Sequence, residues 1–344
     1  MFNVRTAVLA ATSFLALQSA AWAETVEEFY SGKTITMTVA AGSGGMADSV
    51  ARAFAEIFVS HIPGQPDVVI QNIPGGGGLV GATQLKSAGE DDGTEVGFLL
   101  GNVVTAPLLT GNTQFDPREV TWLGAIDSGD YPRALYAYET SDVQTAGGMF
   151  ETEMVMGATS FSHYNRVFPA MLQQFGGAKF NIVAGYKGSG EVNLAMERGE
   201  VDGWVTGSQH IRAHVGTAGQ WILEEKLKPL ILFADAPDPR HPDLPVAMDY
   251  ITDPEQQAVA RFLFKASSVG RPLAVPAGVP QERVDALRGA INATFADPAF
   301  AEFIQSSGLG EARLQTVEEL EGLITSFYEA PEDIIDTVRS FTKN

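Results

Sequence analysis

The chain contains no cysteine, which excludes disulfides, thiolate metal sites, a cysteine nucleophile and a lipid-modified N-terminal cysteine together. It is also poor in positive charge: 22 Lys and Arg stand against 42 Asp and Glu, a formal net charge of −20. Nucleic acid is therefore not an expected partner, because phosphate binding needs a basic surface. The same balance argues against docking on an anionic membrane through a polybasic patch. No apolar run reaches the ~20 residues that span a bilayer. The stretch Ala7–Leu17 falls well short; with Arg5 before it and Ala21-Trp22-Ala23 after it, it has the layout of a secretory signal. Residues 1–23 are thus expected to be cleaved after Ala23, leaving an exported periplasmic chain with no membrane insertion of its own.

What is present is ordinary for a globular protein. The 344 residues are 45% hydrophobic and 19% charged, enough for about two domains with sizeable cores. Ile35, Met37 and Val39 alternate with threonines as in a half-buried strand, and Val50, Phe54, Ile57 and Phe58 recur at helical spacing. Val68 to Ile70, a helix from about Val80 to Ala88, and a strand from Val96 to Leu100 continue the alternation. This βαβαβ order predicts a mainly parallel sheet flanked by helices. The middle third repeats it: strands at Met154–Met156, Phe180–Ala184, Val201–Val205 and Leu230–Phe233, with helices around Val167–Phe175 and Ser189–Arg198. Pro237, Pro239, Pro242 and Pro245 predict a stiff irregular connection. Pro280 opens a helix with Val284, Leu287, Ile291 and Phe295 on one face.

Three glycine- or hydroxyl-rich segments follow strands and precede helices, where α/β sheets bind small ligands. Gly42-Ser43-Gly44-Gly45-Met46-Ala47-Asp48 lacks the Lys and Ser/Thr of a P-loop and the spacing of a dinucleotide fingerprint. It reads either as an anion site at a helix start or as a tight turn with Asp48 settling the first helical turn. Pro74-Gly75-Gly76-Gly77-Gly78 excludes side chains, for close backbone packing or for a ligand wall. Gly157-Ala158-Thr159-Ser160-Phe161-Ser162 offers hydroxyls that cap a helix or bind a carboxylate. Hydrolytic chemistry finds no Gly-x-Ser-x-Gly elbow. His210 and His214 are four apart, yet no HExxH motif accompanies them, so no metal or cofactor is expected.

In order and spacing these segments resemble a known family. Ile35–Arg52 with Gly44-Gly45-x-x-Asp48, Pro63-Gly64-Gln65-Pro66 through Asn72 and Pro74–Gly77, Asp92-Gly93-Thr94, Gly185–Gly190 (GYKGSG) followed by Gly199-Glu200-Val201-Asp202, Pro242–Pro245 and Pro276–Pro280 are similar to the motifs of the Bug family, the TctC-like periplasmic receptors of tripartite tricarboxylate transporters. The resemblance runs from about residue 30 to 325. Gly270-Arg271-Pro272 and Ala195–Glu200 look like a divergent branch, and no proline precedes Gly44-Gly45 where many relatives have one.

The resemblance implies a two-domain α/β periplasmic binding protein of Venus-flytrap, type II-like form, with mixed sheets and a cleft between domains. It implies residues 24–125 plus 235–344 as domain one and 126–234 as domain two. It implies a monomer that is not an enzyme, captures a small organic carboxylate and delivers it to membrane permease subunits. Carried over by position, domain one offers Gly42–Asp48, Gly76, Gly77, Gly78 and Asn102 to the ligand. Domain two offers Ala158, Thr159, Ser160, Phe161, Ser162, Lys187, Gly188, Ser189 and Asp202. With the chain so acidic, capture rests on local donors, among them Ser43, Thr159, Ser160, Lys187 and Arg166. A receptor signalling to a sensor kinase and a receptor for a zwitterionic or neutral solute are the alternatives.

Overall fold

The computed structural model describes residues 24–87, 91–127, 131–213, 216–307 and 312–343. The expected leader, residues 1–23, and His214 lie outside the described residues.

Eleven strands are named in chain order: β1 (Thr34–Val39), β2 (Asp67–Asn72), β3 (Glu95–Phe98), β4 (Val120–Asp127), β5 (Arg133–Tyr138), β6 (Met154–Ala158), β7 (Phe180–Ala184), β8 (Gly203–Gly207), β9 (Leu227–Phe233), β10 (Arg271–Pro276) and β11 (Arg313–Gln315). They form two sheets, ordered β11-β4-β10-β3-β1-β2 and β7-β6-β8-β5-β9. The chain leaves the first sheet after β4, builds the whole of the second, and returns after β9 with β10 and β11.

The parallel part of the sequence reading holds for β2-β1-β3 and for β7-β6-β8. The expectation of mainly parallel sheets is corrected elsewhere. β10 runs antiparallel to both β3 and β4, β11 is antiparallel to β4, and β5 is antiparallel to β8 and β9. A helix that crosses over one sheet returns the chain in the same direction and so joins parallel strands. A strand arriving from the other sheet is not bound by this. β4, β5, β10 and β11 had no counterpart in the sequence reading; in β5 and β10 nearly every position is buried, so the period-two signal is lost.

One apolar cluster lies between the first sheet and helix Met46–Ser60, and a second runs from the same sheet, through Trp122, Ala125 and Ala274, into the core of the second sheet. Helix Met46–Ser60 turns Val50, Phe54 and Phe58 onto the first sheet, against Ile35, Met37 and Val39 of β1. Phe54 stacks on Phe58 at 5.2 Å and meets Phe300 edge-on at 5.8 Å. Helices far along the chain pack beside the second sheet instead. Phe264 of helix Pro254–Ala266 lies 5.6 Å from Phe168, and Phe341 of helix Glu332–Phe341 lies 5.3 Å from Phe175. These C-terminal helices strap the two sheets together around a shared hollow.

Candidate functional site

The hollow between the sheets has a volume of about 1510 Å³ and is walled by loops at the carboxyl ends of β1, β2, β6 and β7. Of the residues expected from sequence, Gly42, Gly44–Ala47, Gly76–Gly78, Asn102, Thr159–Ser162 and Lys187–Ser189 line it. Segments more than a hundred residues apart are thus brought onto one cavity.

The loop after β1 is braced by a set of hydrogen bonds to one buried acid. Asp48, 4% exposed, accepts from Gly44 N at 2.9 Å, Asn72 Nδ2 at 2.9 Å and Arg52 Nε at 3.1 Å. Burial by itself would raise its pKa, but the bonds from Arg52, Gly44 N and Asn72 outweigh this and hold the carboxyl below the usual range. Asn72 also donates to Ala41 O at 3.1 Å. Asp48 therefore braces the loop from behind and does not line the cavity.

Across the hollow, the same loop touches the segment after β7. Gly42 N donates to Lys187 O at 3.3 Å, and Met46 N donates to Ser189 Oγ at 3.4 Å. A Cβ on Gly42 would stand 3.3 Å from Lys187 Cβ, and one on Gly45 3.4 Å from Ser189 Oγ. The first amide of helix Met46–Ser60, read from sequence as part of an anion site, is thus engaged by a hydroxyl of the opposite wall.

The loop after β2 behaves differently. Gly75, Gly76, Gly77 and Gly78 all have left-handed φ, between 56° and 127°. Asn102 Nδ2 donates to Gly77 O at 2.9 Å. A Cβ on Gly77 would run into Ser160 Oγ of the facing wall. Ser160 is 8% exposed and its Oγ has no hydrogen-bond partner, and the same holds for Oδ1 of Asn102, 9% exposed. Ser160 Oγ, which faces Gly77 from the opposite wall, and Asn102 Oδ1 are thus buried polar atoms without partners, the first able to donate to a ligand and the second only to accept from one.

Four expected site residues stand elsewhere. Ser43 is exposed and outside the lining. Asp48 is the brace just described. Ala158, fully buried, ends β6 and accepts from Gly185 N and Tyr186 N. Asp202 accepts from Val155 N at 2.7 Å, locking β8 to β6 away from the cavity. Arg166 is likewise off the lining, donating to Lys343 O at 2.8 Å.

The structure adds a wall that sequence reasoning missed. Arg133, at the start of β5, and Arg271, at the start of β10, line the cavity with Tyr131, Tyr164, Trp204, Gln209 and Arg240. Trp204 Nε1 and Gln209 Oε1, both on residues 5% exposed, have no partner. His163 stays neutral near pH 7 because burial pushes it down to about 4. The one signal available in sequence was Gly270-Arg271-Pro272, noted as divergent but not placed in the site.

No family model matches the chain. A UPF0065 protein of Bordetella bronchiseptica is 26% identical over 307 residues, covering 88% of this chain and 82% of that protein. Among solved structures, the periplasmic binding protein BugD has a TM-score of 0.69 at 22% identity, over 91% of this chain and 98% of its own. MatC from Rhodopseudomonas palustris with bound malate has a TM-score of 0.65 at 18% identity, over 90% and 99%. With two sheets facing one cavity, and with relatives of this kind across nearly the whole described chain, the protein resembles the Bug-type periplasmic binding proteins in both sequence and fold.

Proposed function

We propose that the chain is an exported, monomeric solute-binding protein that captures a small organic carboxylate between its two lobes and delivers it to the permease of a tripartite tricarboxylate transporter. The lobes divide near residues 126 and 234, and the leader is removed after Ala23. The observation that carries this reading is the meeting of Gly77 and Ser160 from opposite walls, where the buried Ser160 hydroxyl has no partner and can donate to an acid group. The acid group would take its hydrogen bonds from Ser160 and from backbone N–H groups of the glycine loops. In a site shielded from water these bonds are stronger than at the surface. Ligand contacts shared between two lobes stabilise the closed form by their differential affinity for it.

The fold supports binding rather than chemistry. A hydrolase needs a nucleophile, a base and oxyanion donors converging on one point, whereas the serines here meet glycine and asparagine. The test is a thermal-shift screen of the mature protein against mono-, di- and tricarboxylates, amino acids, amines and sugars. A concentration-dependent rise in melting temperature with acids is expected. Silence across the acids, with a rise for an amine or a sugar, rejects the carboxylate reading.

A further inference from the structure

Helix Glu332–Phe341 follows β11 of the first sheet, yet it lies against both lobes. On the side of the second lobe it is packed. Ile335, Val338 and Phe341 are buried, and Phe341 meets Phe175 edge-on at 5.3 Å. Just past the helix, Lys343 O accepts from Arg166 Nη2 at 2.8 Å, and Arg166 belongs to helix Tyr164–Met171, between β6 and β7.

On the side of the first lobe, Arg339 Nε donates to Leu108 O at 2.8 Å and Thr342 Oγ1 donates to Leu109 O at 3.3 Å. Leu108 and Leu109 stand in the last turn of helix Ala106–Thr110, between β3 and β4. The carbonyls of a last turn have no partner within their own helix, and a cation is favoured beside them. Arg339 is preset for this reach, because Glu332 Oε1 at 2.9 Å and Asp336 Oδ1 at 2.7 Å hold its Nη1 from its own helix. The seam beside these bonds is not filled. A crevice of about 460 Å³ separates Leu109, Thr110 and Gly111 from Phe161 of the second lobe, and Phe161 is 41% exposed.

The two helices joined in this way stand directly behind the cavity walls. Helix Ala106–Thr110 follows the turn that carries Asn102, and helix Tyr164–Met171 follows the loop of Thr159–Ser162. We infer that helix Glu332–Phe341 is a latch carried by the second lobe, which holds the cavity closed without solute by hydrogen-bonding the end of helix Ala106–Thr110. The latch goes beyond the carboxylate reading and does not depend on which solute the cavity takes. By favouring the closed arrangement it raises the binding-competent fraction, and with it the apparent affinity for any solute that bridges the lobes.

The test needs no ligand. The chain contains no cysteine, so two introduced cysteines carry spin labels without background. Glu56→Cys on helix Met46–Ser60 and Glu197→Cys on helix Ser189–Glu197 are exposed positions in opposite lobes, off the cavity lining and off the latch. Distances between the labels are measured by pulsed electron resonance on the mature, solute-free protein. Arg339→Gln is expected to move the distribution to longer distances, with the ratio of open to closed molecules rising about tenfold, as for loss of a hydrogen bond from a charged donor. Thr342→Val should shift it in the same direction by less, and Arg339→Lys should recover part of the closed population. Melting curves report folding separately, and Thr342→Val carries the test if Arg339→Gln is unstable. Distributions that coincide in wild type, Arg339→Gln and Thr342→Val overturn the latch and leave the carboxylate reading in place.

Discussion

Two glycine loops face the same cavity, follow parallel neighbours in the same sheet, and use glycine for different reasons. In the loop after β2, all four glycines adopt left-handed φ, a backbone that other residues reach only at a cost. In the loop after β1, Gly44 alone of the three glycines does so. Gly42 and Gly45 have ordinary backbones, and a side chain there would press on Lys187 or Ser189 of the opposite wall. One loop needs glycine to make its shape, whatever the lobes do. The other needs it where the opposite walls of the cavity touch. Glycine content alone does not separate a conformational requirement from a closure requirement; the φ angle and the neighbour across the gap do.

That contrast can be broken by substitution. Gly77→Ala should have the largest effect, because it combines left-handed strain with a collision at Ser160 Oγ and a 2.9 Å approach to Asn102 Nδ2. A loss of about 1–3 kcal/mol in apo stability together with loss of detectable acid binding is expected in melting and titration experiments. Gly42→Val should leave the apo melting temperature nearly unchanged, since opening the lobes relieves the contact, yet weaken binding by about tenfold through the closed state. A stability loss in Gly42→Val as large as in Gly77→Ala would erase the distinction between the loops.

Smaller effects sharpen it. Asp48→Asn removes the brace behind the first loop. The folded carboxyl titrates below its ordinary value, so its stabilisation is present above about pH 3.8 and is lost as pH falls through the lower folded value. The variant should melt about 2–4 °C lower at pH 7, and the gap to wild type should narrow as the pH is taken below 3.8. A gap that is constant with pH would mean that the charge contributes nothing. Ser160→Ala should cost about 1 kcal/mol in ligand affinity, measured by titration, whereas Ser43→Ala, at an exposed position off the lining, should cost nothing.

Much of the site was legible because it is local. A strand, a glycine turn and a helix start lie within a dozen residues of one another, and hydrophobic spacing marks the flanks. The loops of Gly42–Ala47, Gly76–Gly78 and Thr159–Ser162 could therefore be placed at strand ends before any coordinates. Asp48 and Asp202 could not be sorted in this way. Both are acids beside a binding loop, and only their distant partners, Asn72 for the one and Val155 N for the other, show that each locks the fold. Arg133 and Arg271 were missed for a related reason. They begin strands whose burial on all sides leaves no alternating pattern, and the two positions are separated by the entire second sheet.

The sequence alone thus determined the repeating strand–loop–helix units, the glycine turns and the resemblance to Bug-type receptors, since each depends on residues near one another along the chain. The tertiary structure decided which strands returned antiparallel, which acids were spent on bracing, and which arginines came to share one wall. Those outcomes depend on where the chain crosses between sheets, and nothing within a short window of sequence encodes the far partner that a crossing will bring.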